Sequence, residues 1–131
     1  MPRAIIDTNI WISALMKSTL SRPVLTAFIE KRFQPVVSDE LMRELNRVLN
    51  EPAVSKLVNK EEAKELITLI DEKSHKIKAA VKTNICRDPQ DNFLISLLIE
   101  SKAPLVTLDK DLLVLSKELR ILSPTEFLNQ L

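Results

Sequence analysis

Short apolar runs alternate with longer segments of helical periodicity along almost the whole chain. That alternation restricts the fold to an α/β architecture, a mostly parallel sheet with helices on its faces. "RAIID" reads as the first strand and "FQPVVS", ending at Ser38, as the second; "KIKAAV" is a weaker third, "APLVTL" a fourth and "LRIL" a fifth. Between the first two, Arg22-Pro23 opens a helix that runs on through "VLTAFIEKRF", with Pro in its preferred first turn. "DELMRELNRVLN" puts Leu41, Leu45, Val48 and Leu49 on one stripe and stops at Glu51-Pro52. "PAVSKLV" and "KEEAKELITLIDEKSHK" predict two more helices, the second with Leu66, Ile67 and Ile70 on one face. "DPQDNFLISLLIESK" is apolar almost all round, as a buried helix is. "DKDLLVLSKE" reads as a short helix, and "SPTEFLNQL" closes the chain with Ser123 as cap.

Composition narrows the chemistry. A chain of 131 residues with 45% hydrophobic content suits one compact domain, residues 1–131. No apolar run approaches the roughly 20 residues of a membrane helix, and Asp7 breaks the N-terminus where a signal peptide would carry its apolar stretch. The expectation is a soluble, cytoplasmic protein with no membrane association. One cysteine, Cys86, and one histidine, His75, do not make a zinc site of ordinary ligand count, so a metal here has to be held by oxygen. A formal charge of +1 provides no whole-molecule attraction to nucleic acid. The absence of glycine excludes the glycine-rich phosphate cradles of P-loop and dinucleotide-binding proteins.

The acids form a pattern on this layout. Asp7 and Asp109 each follow an apolar strand, at the edge where open parallel sheets gather their ligand groups. On the helix after Ser38, at about 100° per residue, Asp39 and Glu40 point away from the apolar stripe while Glu44 lies at its margin. Asp91 falls in the first turn of the buried helix, close to the same edge if that helix precedes the fourth strand in a right-handed crossover. Gathered like charges repel and raise their own pKa values unless a cation compensates. Carboxylates without neighbouring His or Cys suit Mg2+ or Mn2+, which keep waters and recruit phosphate oxygens. The reaction such a site most often runs is phosphodiester hydrolysis, with one metal or two about 4 Å apart.

Four ordered segments carry a resemblance: "IIDTNIWISAL", "VVSDELMREL", "RDPQDNFLISLLIESKAPLVTLDKDLL" and "ILSPTEFL". Together they cover nearly the whole chain, which resembles PIN-domain ribonucleases, in the branch that supplies the toxins of toxin and antitoxin pairs. The resemblance implies a PIN-like three-layer fold with a five-stranded, mostly parallel sheet between helices. It also implies Mg2+- or Mn2+-dependent endonucleolytic cleavage of single-stranded RNA, and assembly into homodimers or higher homo-oligomers. An antitoxin whose C-terminal segment covers the acidic cleft belongs to the same implication. Carried over position by position, the family's metal-binding catalytic acids fall on Asp7, Glu44, Asp91 and Asp109. Many relatives have glycine before the last acid; this chain has Leu108 there, and Asp109 is still expected to reach the site.

Each assignment has a plainer competitor. Asp7 is also suited to start a turn or cap the next helix, Glu44 to pair with Arg43 or Arg47, and Asp91 to complete a capping box with Asp88. Asp109 and Asp111 compete to cap one short helix; Asp109 is read as a ligand and Asp111 as its support. Thr8, Asn9, Ser38, Asp88, Asn92 and Thr107 are placed to orient the carboxylates or metal waters through hydrogen bonds. The cations Lys73, Lys76, Lys78, Lys82 and Arg87 form a candidate contact for RNA phosphates, although a solvated face is the simpler reading. Trp11 has the chemistry to stack on a base, but its apolar surroundings point to the core or a dimer surface. Two other functions compete with the ribonuclease. A phosphatase of the haloacid dehalogenase type needs a second Asp where Asn9 stands, and a non-enzymatic PIN-like module would bind RNA or protein without turnover.

Overall fold

The computed structural model describes residues 1–78 and 92–131. Five strands, β1 (Arg3–Ile6), β2 (Gln34–Val37), β3 (His75–Lys76), β4 (Leu105–Val106) and β5 (Ile121–Leu122), form one sheet in the order β3-β2-β1-β4-β5. Every pairing is parallel, so the expected mostly parallel sheet is wholly parallel. β1 lies at the centre because its Ala4, Ile5 and Ile6 are apolar on both faces and are buried on both. The chain builds outward from β1 through β2 to β3, then returns to the other side of β1 for β4 and β5. The direction of winding therefore reverses between β1 and β4, which opens a crevice above their carboxyl ends.

Helices follow from local chemistry at that edge. Asp7, Ser38 and Ser123 leave β1, β2 and β5 and cap α1 (Thr8–Leu15), α3 (Asp39–Leu49) and α8 (Pro124–Asn129) through their side chains. Ser123 forms a full capping box with Glu126, which draws the Glu126 carboxyl below its ordinary value through the Ser123 backbone N–H. The segment after Asp7 has no polar stripe: Thr8, Ile10, Trp11, Ile12, Ala14 and Leu15 of α1 are all buried. Trp11 meets Phe28 edge-on at 5.3 Å, so it belongs to the core and presents no ring to a base. α2 (Arg22–Ile29) begins on the expected Arg22-Pro23 and ends sooner than the periodicity suggested. α4 shrinks to Pro52–Ser55, whereas α5 (Lys60–Lys73) runs long and buries Leu66 and Ile70 on its packed face.

The third strand is only His75–Lys76, paired with Val36 and Val37; the rest of "KIKAAV" lies largely outside the described residues. α6 (Asn92–Ser101) is the expected buried helix, with Leu94, Ile95, Leu97 and Leu98 enclosed and β1, β4 and α3 as neighbours. Asp88 and Asp91, expected at its start, lie outside the described residues. After β4, α7 (Lys110–Leu113) tightens into a 3₁₀ turn over Val114–Lys117. No helix among the described residues is long and apolar enough to cross a membrane.

A chain without glycine still has to leave its helices. Lys17, Lys31 and Lys102 take left-handed φ values of 67°, 61° and 60°, each just beyond a helix end. At α1 the Lys17 N–H donates to Ala14 O and the Ser18 N–H to Ser13 O; at α2 the Lys31 N–H donates to Phe28 O and the Arg32 N–H to Ala27 O. Both are Schellman turns with lysine in the place glycine usually takes.

Candidate functional site

Backbone pairing fixes the carboxyl edge before any side chain acts. The Asp7 N–H donates to Val106 O at 3.0 Å, and the Thr107 N–H to Leu122 O at 3.0 Å, so the parallel ladder extends one residue past β1 and past β4. Asp7 and Thr107 thus stand side by side above the crevice. The Thr107 hydroxyl donates to Asp7 Oδ2 at 2.7 Å and accepts the Asp109 N–H at 3.0 Å. Thr107 ties the acid after β1 to the acid after β4, across 100 residues of sequence.

Asp7 is 7% exposed and Thr107 fully buried, so the carboxylate is held where water solvates it poorly. Burial pushes the Asp7 carboxyl above its ordinary value, and the nearby Asp109 charge pushes the same way. Hydrogen bonds from the Thr107 hydroxyl and the Asn9 and Thr8 N–H groups oppose the shift without cancelling it. Asp7 also caps α1, taking the Asn9 N–H on Oδ1 at 3.4 Å. Both expected roles, cap and edge carboxylate, are occupied by the same side chain.

Glu44 reaches this edge through Thr8. The Thr8 hydroxyl, buried next to Asp7, donates to Glu44 Oε2 at 2.9 Å. Asp39 and Glu40 are exposed and Glu44 is half-buried, as the helical stripe predicted. Arg47 lies 4.0 Å from Glu44 Oε1, yet the same guanidinium donates to Glu51 at 2.7 Å, leaving the Glu44 pair the weaker of the two. Asp109 caps α7 by accepting the Asp111 N–H at 2.9 Å, which settles the capping competition in its favour; Asp111 is exposed and supports Asp109 with its backbone rather than its carboxylate. Leu108 has no left-handed backbone, so that turn does not require the glycine common among relatives.

The other expected helpers divide. Ser38 spends its hydroxyl on the Leu41 N–H as the cap of α3, which sets the helix carrying Glu44. Asn9 is exposed and contributes its backbone N–H to Asp7, so the position a phosphatase would need for a second acid carries none. Asn92 opens α6, and Asp88 and Asp91 lie outside the described residues. Lys76 is paired with Asp71. Among the described residues no three of His, Cys, Asp and Glu are grouped so as to hold a metal ion. The donor chemistry present, a desolvated carboxylate, a second carboxylate within its electrostatic reach and oxygen ligands throughout, fits a hard divalent cation. The roles of Thr107 and Thr8 as bridges emerge only in three dimensions; the sequence shows no more than their place beside Asp7 and Asp109.

Residues 3–111 match the PIN domain. The chain belongs to the PIN-domain family. It is also similar to the uncharacterized protein MJ1680 of Methanocaldococcus jannaschii, with 29% identity over an alignment that covers 98% of this chain and 90% of that protein. PIN domains are generally nucleases and typically use divalent metals. The α/β fold with its five-stranded parallel sheet is the one the family implies, and its carboxyl edge gathers the buried polar residues Asp7, Thr8, Ser38 and Thr107.

Proposed function

We propose that this PIN domain is a metal-dependent endoribonuclease that hydrolyses phosphodiester bonds of single-stranded RNA. The observation that supports it best is the hydrogen-bonded path from Asp7 through Thr107 to Asp109 at the reversal of the sheet. A carboxylate placed there, desolvated and close to another, is held against its own preference; a cation is what makes such an arrangement favourable. In this reading Asp7, Glu44, Asp91 and Asp109 hold Mg2+ or Mn2+. The cation, when bound, supplies activation of the attacking water and stabilisation of phosphate charge. Thr107 favours the ionised form of Asp7 and aims it, Thr8 holds Glu44 toward the same edge, and the ladder bonds at Asp7 and Thr107 limit drift of either strand end.

Titration calorimetry with Mn2+ and a cleavage assay on varied single-stranded RNAs, for wild type and Asp7→Asn, test the proposal. Metal binding and metal-dependent cleavage, both lost in Asp7→Asn, support it; cleavage that survives the substitution removes Asp7 from the site. A second reading, a PIN-like module that binds RNA or protein without turnover, is favoured by one fact: no three acids among the described residues are grouped at metal-holding range. Metal binding with no cleavage of any RNA selects that module. The ordered motifs lead us to extend the first reading to a toxin that acts as a homodimer or higher homo-oligomer and is restrained by an antitoxin. Co-expression with the product of the adjoining reading frame, scored by growth and by light scattering of the purified complex, checks that extension.

A further inference from the structure

Lys17, Arg22 and Arg32 stand around one open groove of about 610 Å³ at the corner of α1, α2 and α8. Pro23 and Leu128 add apolar surface, Thr19 and Thr26 add hydroxyls, and among the described residues no carboxylate lines it. We propose that this groove binds the phosphodiester backbone of single-stranded RNA, as an anchoring site separate from the carboxylate edge. The identity of the polyanion rests on the ribonuclease reading above.

The backbone positions of two of these residues are set by turns already described. Lys17 is the left-handed residue of the α1 Schellman turn, and Arg32 is the next residue after the left-handed one in the α2 turn. The Arg22 guanidinium donates to Ala14 O at 3.2 Å, the same carbonyl that accepts the Lys17 N–H. The three cationic residues thus line one trough, and among the described residues none of the three takes part in an ion pair. The Arg22 guanidinium, already held by its bond to Ala14 O, loses less freedom when it meets a phosphate than a mobile one does.

Electrostatics explains why a nuclease would need such a groove. The carboxylate edge repels an RNA backbone wherever its charge is not neutralised, and a formal charge of +1 provides no general attraction. Affinity has to come from a local patch. Lys17 lies beyond the far end of α1 from Asp7, and eight helical residues span about 12 Å. A strand of a few nucleotides can therefore touch the groove while another of its phosphates sits at the crevice. Phosphate oxygens accept from Arg, Lys and Thr alike, and Pro23 and Leu128 leave an apolar surface for a base or sugar.

The test is fluorescence anisotropy with labelled oligouridylate, in EDTA so that binding is read without cleavage, across a range of NaCl. Lys17 and Arg32 are exposed, so the double variant K17Q/R32Q spares the Arg22–Ala14 bond. We expect it to weaken binding at least tenfold and to lower the salt slope by about 1.4, from roughly 0.7 for each phosphate no longer neutralised. The charge-matched pair K60Q/K64Q on α5 is expected to change little, and K17R/R32K to bind as wild type does. Equal loss in both Gln pairs, or no loss in K17Q/R32Q, overturns the proposal. So does a double variant that loses oligoglutamate binding while keeping oligouridylate, since the groove is then a peptide site. Failure of the ribonuclease reading appears separately, as wild-type protein that cleaves no RNA in Mg2+ or Mn2+.

Discussion

The two ends of the sheet solve opposite problems. At the carboxyl end the chain buries polar groups: Asp7, Thr8, Ser38 and Thr107 are all enclosed, and hydrogen bonds to Glu44, Asp109 and the helix caps satisfy them. Toward the other end it buries aromatics. Trp11, Phe28, Phe33 and Phe127 meet in a row with centroid separations of 5.3, 6.1 and 5.0 Å. The aromatic row stabilises the fold by removing apolar area from water and by edge-to-face contact. The carboxylate edge does the reverse, because Asp7 would be better solvated outside. The aromatic row and the candidate site are thus kept at separate ends of β1.

Substitutions at the two ends should therefore fail in different ways. The largest effect is expected from Phe33→Ala, which empties a 1% exposed site and should cost about 3–5 kcal/mol in chemical denaturation. The protein that remains folded should cleave RNA at an unchanged rate; a fall in that rate would couple the two ends. Asp7→Asn should lower metal-dependent cleavage by more than about 10²-fold, since even outer partners of a metal site are worth 10–100-fold. In the same protein without metal, Asp7→Asn should raise Tm. The sign follows from the raised pKa. The native state holds the Asp7 proton more tightly than the unfolded chain, so this contribution to stability is fully present below about 3.8 and lost as pH rises through the raised native value. The gain in Tm should therefore be present at neutral pH and vanish in acid, and scanning calorimetry in EDTA at several pH values reads it.

Thr107→Val separates position from charge. It removes the donor to Asp7 and leaves the Asp109 N–H without its acceptor, which should cost about 1–3 kcal/mol. Cleavage should fall by about 10–100-fold, with Thr107→Ser recovering most of it. Smallest of all is Lys31→Gly. It relieves a left-handed lysine worth roughly 1–2 kcal/mol but gives the unfolded chain back about 0.4–1 kcal/mol of freedom, so denaturation should show a stabilisation of about 1 kcal/mol or less.

The strands and most helices were legible because their periods match their burial; β1 reads as an apolar run and is buried on both faces, and α3 shows its stripe. α1 was less legible. "TNIWISAL" mixes β-branched and aromatic residues with no polar face, so neither period dominates, and only Asp7 as a possible cap marked its start. β3 begins one residue before "KIKAAV", at His75, where β2 supplies Val36 as its partner. At the carboxyl edge, strand ends pointed to Asp7 and Asp109 as candidates, and helical angle to Glu44. The bonds that join them were not legible: Thr8 and Glu44 are 36 residues apart, and no local spacing encodes their meeting. The basic groove escaped for a related reason. Its cations are scattered among three turns and helix starts, whereas the contiguous run beginning at Lys73 stands out in sequence, although Lys76 within it is engaged by Asp71.

The ladder bonds at Asp7 and Thr107 have a consequence for motion. Functional groups commonly ride on segments that open locally at little cost. Here the Asp7 amide is tied into the middle of the sheet, to Val106, and the Thr107 amide to Leu122 of the edge strand β5, so exposing them to solvent exchange requires parting β1 from β4 or β4 from β5. Protection of the Asp7 amide should approach that of the whole domain. Site geometry and global folding then share one free energy, and heating should switch this edge off in a single step together with the fold.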